Sequence, residues 1–109
     1  MEIEWTDLAV ASLEEIAIYI SENFSEAIAR KCVEEIVNHV KILESSPELG
    51  RPISHLTKEA SIYCFNYKRN QAYYRIINNR IQIVIVWDGR QDPNQLHELI
   101  FGFLETLEE

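Results

Sequence analysis

Cysteine is nearly absent: Cys32 and Cys64 are the only two among 109 residues. Two thiols this far apart build neither a disulfide framework nor a zinc module, whose ligands come in close pairs. A reduced, cytoplasmic setting is the expectation. Glycine and proline are also scarce, at 3 each, which excludes collagen-like and low-complexity chains. No apolar run approaches the roughly 18 residues of a membrane span. The opening MEIEWTDLAV carries acids where a signal peptide needs bases. His39, His55 and His97 have no metal-ligand spacing, so neither metal nor cofactor is expected. Bases are in deficit as well, 10 against 18 acids, for a net charge of −8. Such a balance argues against a nucleic-acid partner for the chain as a whole.

What is present suffices for one domain spanning 1–109, with 47% hydrophobic residues to build a core. The charge is unevenly distributed. Residues 1–50 hold 11 acids and 3 bases, residues 51–93 hold 3 acids and 7 bases, and residues 94–109 hold 4 acids and no base. The basic middle third keeps a local anion-binding surface open. The same charges also fit faces that are simply solvated.

Ile3 and Trp5 alternate with acids, the pattern of a short strand. Thr6 is placed to cap a helix whose apolar stripe is Ala9, Leu13, Ile16 and Ile20. Ser25 is placed to cap a second, with the stripe Ala29, Val33, Ile36, Val40 and Leu43. The short connection predicts an antiparallel helical hairpin over 7–44, with Phe24 plugging the junction. Pro47, Gly50 and Pro52 then make a loop. From Ser61 the pattern is β, and Asn78-Asn79 is a hairpin turn, since Asn tolerates the left-handed conformation.

A two-residue turn fixes the register, with Ile77 opposite Arg80 and Ile76 opposite Ile81. Kept constant, it puts Ala72, Tyr74, Ile76, Ile81, Ile83, Ile85 and Trp87 on the core face. Gln71, Tyr73, Arg75, Gln82, Val84, Val86 and Asp88 fall on a half-polar open face where a partner would sit. After the turn Asp88–Pro93, the residues Leu96, Leu99, Ile100, Phe103 and Leu107 recur at helical spacing. This acidic, amphipathic helix either folds back or awaits a partner. The expected fold is α+β: an N-terminal strand and helical hairpin on one face of an antiparallel sheet, then a C-terminal helix.

This order resembles the RelE/ParE superfamily of type II toxin–antitoxin (plasmid stabilisation) toxins over roughly residues 3–93. The resemblance is carried by Trp5-Thr6 to Ile20, the loop Pro47-Glu48-Leu49-Gly50-Arg51-Pro52, the strand Tyr73-Tyr74-Arg75-Ile76, and the ending Val86-Trp87-Asp88-Gly89-Arg90-Gln91-Asp92-Pro93. It implies growth arrest, neutralised by a cognate antitoxin protein. The target is either DNA gyrase, as for ParE-like members, or mRNA cleaved on the ribosome, as for RelE-like members. A decayed copy that only binds a partner is a third reading. No membrane partner is expected, and a homodimer is compatible with the resemblance.

Cleavage of RNA by its own 2′-OH needs a base, an acid and cations around the phosphorane. The resemblance puts Arg90 at the arginine that RelE-like toxins carry after the last strand. Arg75 on the open face can share its role, and His97 lies near a tyrosine of the last helix in those toxins. These three are the candidate catalytic residues. Gln71, Tyr73, Gln82 and Arg51 are candidate binding residues. Gln71 stands where RelE-like toxins carry a further arginine, and this neutral residue tilts the reading toward a ParE-like, gyrase-directed toxin. His39 and His55 read as structural or solvated, and Cys32 and Cys64 as small core residues. Tyr63, Tyr67 and Tyr73 can stack on bases, although aromatics in a sheet more often pack.

Overall fold

The computed structural model describes residues 1–53 and 62–107; His55 lies outside the described residues. Strand β1 (Glu2–Trp5) leads into helices α1 (Asp7–Asn23) and α2 (Glu26–Val40). Two short 3-10 turns, Lys41–Glu44 and Pro47–Leu49, lead to β2 (Arg51–Pro52). Strands β3 (Tyr63–Tyr67), β4 (Asn70–Ile77) and β5 (Arg80–Asp88) and helix α3 (Pro93–Thr106) follow among the described residues. The sheet order is β1-β5-β4-β3-β2. It is mixed, because β1 joins β5 in parallel while the other pairs are antiparallel.

Both helix caps form as the sequence indicates. The hydroxyls of Thr6 and Ser25 accept from the amides of Ala9 (3.0 Å) and Ile28 (3.1 Å). Each satisfies an amide that the first helical turn leaves open. Thr6 also donates toward the carbonyls of Ile83 and Val84 (3.0 and 2.9 Å), where the pairing with β1 runs out. Further along α1 the Ser12 hydroxyl accepts from the Val86 amide at 2.9 Å. Side chains of α1 thus take over the hydrogen bonding of β5 beyond the end of β1. Phe24 does not plug the hairpin junction: as the residue that caps the end of α1, its amide donating to the Ile20 carbonyl, it is left 69% exposed.

Asn78 and Asn79 both have positive φ, 51° and 60°, as a two-residue turn requires. The register counted from that turn holds only as far as Tyr74 opposite Ile83. Tyr73 then faces Ile85, so Val84 is an extra residue, a β-bulge. One extra residue reverses the facing of everything beyond it. Val86 therefore joins the hairpin-side core with Ala72, Tyr74, Ile81 and Ile83. Ile85 and Trp87, expected there, lie on the opposite face with Tyr73 and Val84. Ile76 is 39% exposed at the sheet end rather than core.

The opposite face is not open. Helix α3 folds back onto it and buries Leu96 and Ile100 against Val84, Ile85 and Trp87. Two apolar layers therefore sandwich the sheet, one under the hairpin and one under α3.

The loop of residues 47–52 is held by one buried phenol. Tyr74 Oη donates to the Pro47 carbonyl at 2.7 Å and accepts from the Gly50 amide at 2.9 Å. A Cβ at Gly50 would lie 2.6–2.7 Å from Tyr74 ring carbons, so only glycine allows this approach.

Candidate functional site

Gln71 and Arg90 fall at one end of the sheet and Arg75 and Gln82 toward the other, because β4 and β5 pair Asn70 with Asp88 at one end and Arg75 with Gln82 toward the other. The strand from Gln82 to Asp88 runs for about 20 Å at the usual rise per residue.

At the Arg75 end, the Arg75 Nε donates to Gln82 Oε1 at 2.5 Å, and Gln82 Nε2 donates to Glu4 Oε1 at 3.3 Å. Glu4 also pairs with Arg80 at 3.6 Å. Phe103 of α3 lies over the Arg75 guanidinium, 5.8 Å from its carbon to the ring centroid. Burial pushes the Arg75 guanidinium down from its ordinary value, although an arginine keeps its charge. Arg75 and Gln82 therefore tie strands and helix together.

Tyr73 is 6% exposed, and its hydroxyl donates to Gln71 Oε1 at 2.8 Å. Burial holds that hydroxyl far above the usual phenol range, so it titrates outside any physiological window. Arg51 lies opposite Cys64 across β2 and β3, and its charge reaches both the Cys64 thiol and the Tyr73 hydroxyl. Burial pushes the Cys64 thiol up, which keeps it a neutral core group. His97 sits half buried on α3, next to the buried Leu96. Tyr63 stacks on Tyr74, and Tyr67 stacks on His39, so these two rings serve packing. The ring of His39 is also stacked on Phe65, at 4.7 Å.

At the other end, Arg90 is held by Asp88. Its Nη2 and Nε donate to the two carboxylate oxygens at 2.7 and 3.1 Å, and its backbone amide donates to Oδ1 at 2.9 Å. These hydrogen bonds, from side chain above all, hold the Asp88 carboxyl below the usual carboxylate range. Asp88 and Arg90 line a slot of about 260 Å³ with Glu15, Ile16 and Tyr19 of α1 and with Gln91. A shallower cleft beside it brings Arg90 together with Gln71, Asn66, Lys68 and Arg69. Lys68 has φ of 54°, a conformation that costs a non-glycine residue about 1–2 kcal/mol. It reaches Glu35 at 3.3 Å.

The structure thus unites Gln71 with Arg90, and Arg75 with Gln82, and keeps the pairs apart. Asp88, Tyr19, Lys68 and Arg69 were not anticipated as site residues. The Asp-Gly-Arg spacing carried a signal for the first, since a carboxylate two residues before an arginine in a turn can fold back on it. Tyr19 carried none, because its approach depends on the β5 bulge. Among the described residues no group of His, Cys, Asp and Glu could hold a metal ion. No described helix is long and apolar enough to cross a membrane.

A model of the ParE toxin of the type II toxin–antitoxin system parDE matches residues 3–93. The match ends where α3 begins. A solved chain described as the chromosomal ParDE toxin–antitoxin system from P. aeruginosa superposes with a TM-score of 0.70 at 23% identity, covering 81% of this chain and 95% of that one. No curated protein matches significantly. With strand, helical hairpin, mixed sheet and a family match over most of its length, the chain belongs to the ParE toxin family and is the toxin component of a ParE-type type II toxin–antitoxin module.

Proposed function

We propose that this toxin arrests growth by binding a protein target, DNA gyrase, in the cytoplasm, and that a cognate antitoxin holds it inactive. The observation that carries this reading is the separation of Arg75 from Arg90. Cleavage at a 2′-OH needs acid, base and cations around one phosphate. Here one arginine is bonded to Gln82 beneath α3, and the other to Asp88 at the far end of β5. Each guanidinium is thus already committed to a side-chain acceptor of the fold, at opposite ends of the sheet. The endoribonuclease reading rests on a different observation, the cleft that gathers Lys68, Arg69 and Arg90 around Gln71.

Expression in a bacterial host tests both. Growth arrest with DNA damage and filamentation, and with intact mRNA, supports the gyrase reading. Arrest with codon-phased mRNA cuts that disappear in Arg90→Ala establishes the endoribonuclease. Normal growth with verified folded protein points to a decayed copy that only binds a partner.

A further inference from the structure

The slot between α1 and the end of β5 exists because of the bulge at Val84. Without it Asp88 would face α3; with it Asp88 turns to the hairpin side and sets Arg90 beside Tyr19. Three hydrogen bonds to Asp88 fix the arginine in advance, and its guanidinium carbon lies 5.8 Å from the Tyr19 ring centroid. Ile16 contributes an apolar, nearly buried surface, and Tyr19 is 49% exposed. Nearby on the chain, Ile18 and Phe24 are exposed by 55% and 69%. A cavity of about 150 Å³ already admits a benzene ring, so a slot of about 260 Å³ has room for one aromatic side chain.

The surrounding charge selects the neighbours of that side chain. Helix α1 carries Asp7, Glu14, Glu15 and Glu22 and no base. Lys68 and Arg69 lie in the neighbouring cleft that Arg90 also lines, whereas Glu15 and Asp88 line the slot itself, so a phosphate entering the slot would meet two carboxylates beside the already paired Arg90. We infer that the Tyr19–Arg90 slot is a protein-docking site that takes an aromatic side chain from a partner segment flanked by basic residues. Arginine and tyrosine are among the side chains that most often dominate binding energy, and holding them in place beforehand lowers the cost of ordering them on binding. The inference deepens the protein-binding reading above, by naming the surface and the chemistry of what docks there.

The test is a titration of the isotopically labelled full chain, followed by amide NMR, with three short synthetic peptides: a tryptophan flanked by lysine and arginine, the same peptide with alanine for tryptophan, and a tryptophan flanked by aspartate and glutamate. The first peptide should shift the amides of Ile16, Tyr19, Arg90 and Gln91. The alanine peptide and the Tyr19→Ala protein should each weaken binding about tenfold. Glu15→Gln should weaken the basic peptide, and the acidic peptide should not bind the slot. Tyr19 is exposed enough that its truncation leaves the core untouched. Shifts confined to other residues, equal binding of the alanine peptide, or preference for the acidic peptide would each overturn the inference. So would an oligouridine that shifts the same four amides more than the basic peptide. Because the readout is direct binding, a negative result here leaves the gyrase assay to stand or fall separately.

Discussion

Tyr74→Phe removes a single oxygen and should loosen the whole connection between the helical layer and the sheet. Tyr74 is 0% exposed, and its hydroxyl bridges the Pro47 carbonyl and the Gly50 amide. Each hydrogen bond contributes about 0.5–1.5 kcal/mol net, so the pair should be worth about 1–3 kcal/mol. For a chain of this size that is a fall in Tm of roughly 5–15 °C. Gly50→Ala should cost as much by another route, because its new Cβ meets the same phenol. In the Tyr74→Phe background the hydroxyl contact is gone, while ring carbons still crowd the Cβ. The double variant should then be less destabilised than the summed singles, a coupling typical of residues in contact. Urea denaturation of the four proteins measures it. A Tyr74→Phe loss of less than about 0.5 kcal/mol, or strict additivity, would refute the clamp.

Three further outcomes follow from the geometry. The Asp88 carboxyl is held below its ordinary value, so the stability it contributes is present above about pH 4 and is lost as pH falls through its lowered value; Arg90→Ala should flatten the urea-midpoint profile in that acid range. Truncation after Asp92 removes Leu96 and Ile100, which contribute about 1.5–3 kcal/mol each, and should expose Val84, Ile85 and Trp87 to a hydrophobic dye; an unchanged urea midpoint would show that α3 does not hold this face. Lys68→Gly relieves a positive φ worth about 1 kcal/mol and loses only an exposed pairing with Glu35, which contributes little, so Tm should rise; an unchanged or lowered Tm would contradict the strain.

Much of the fold was legible because local chemistry fixes it. Thr6 and Ser25 announce their helices, the stripes through Ile16 and Ile36 mark the buried faces, and Asn78-Asn79 marks the hairpin. The parallel pairing of β1 with β5 was not legible, since the partners are far apart in sequence and no turn links them. Nor was the bulge. Val84, Ile85, Val86 and Trp87 are all apolar, so a sheet buried on both faces hides which way each one points. That single residue explains most of what changed at the site. It moved Ile85 and Trp87 under α3, and it turned Asp88 toward Tyr19. Arg90 was proposed from the resemblance, and its carboxylate partner was not, because the resemblance suggested an anion rather than the neighbouring Asp88.

Whether the toxin binds a protein rather than cutting RNA is tested most directly by supercoiling with purified gyrase in the presence of the purified chain. Inhibited supercoiling and accumulation of gyrase–DNA cleavage complexes are the expected result. Full supercoiling at saturating toxin, together with codon-phased cuts in mRNA on translating ribosomes, would contradict it.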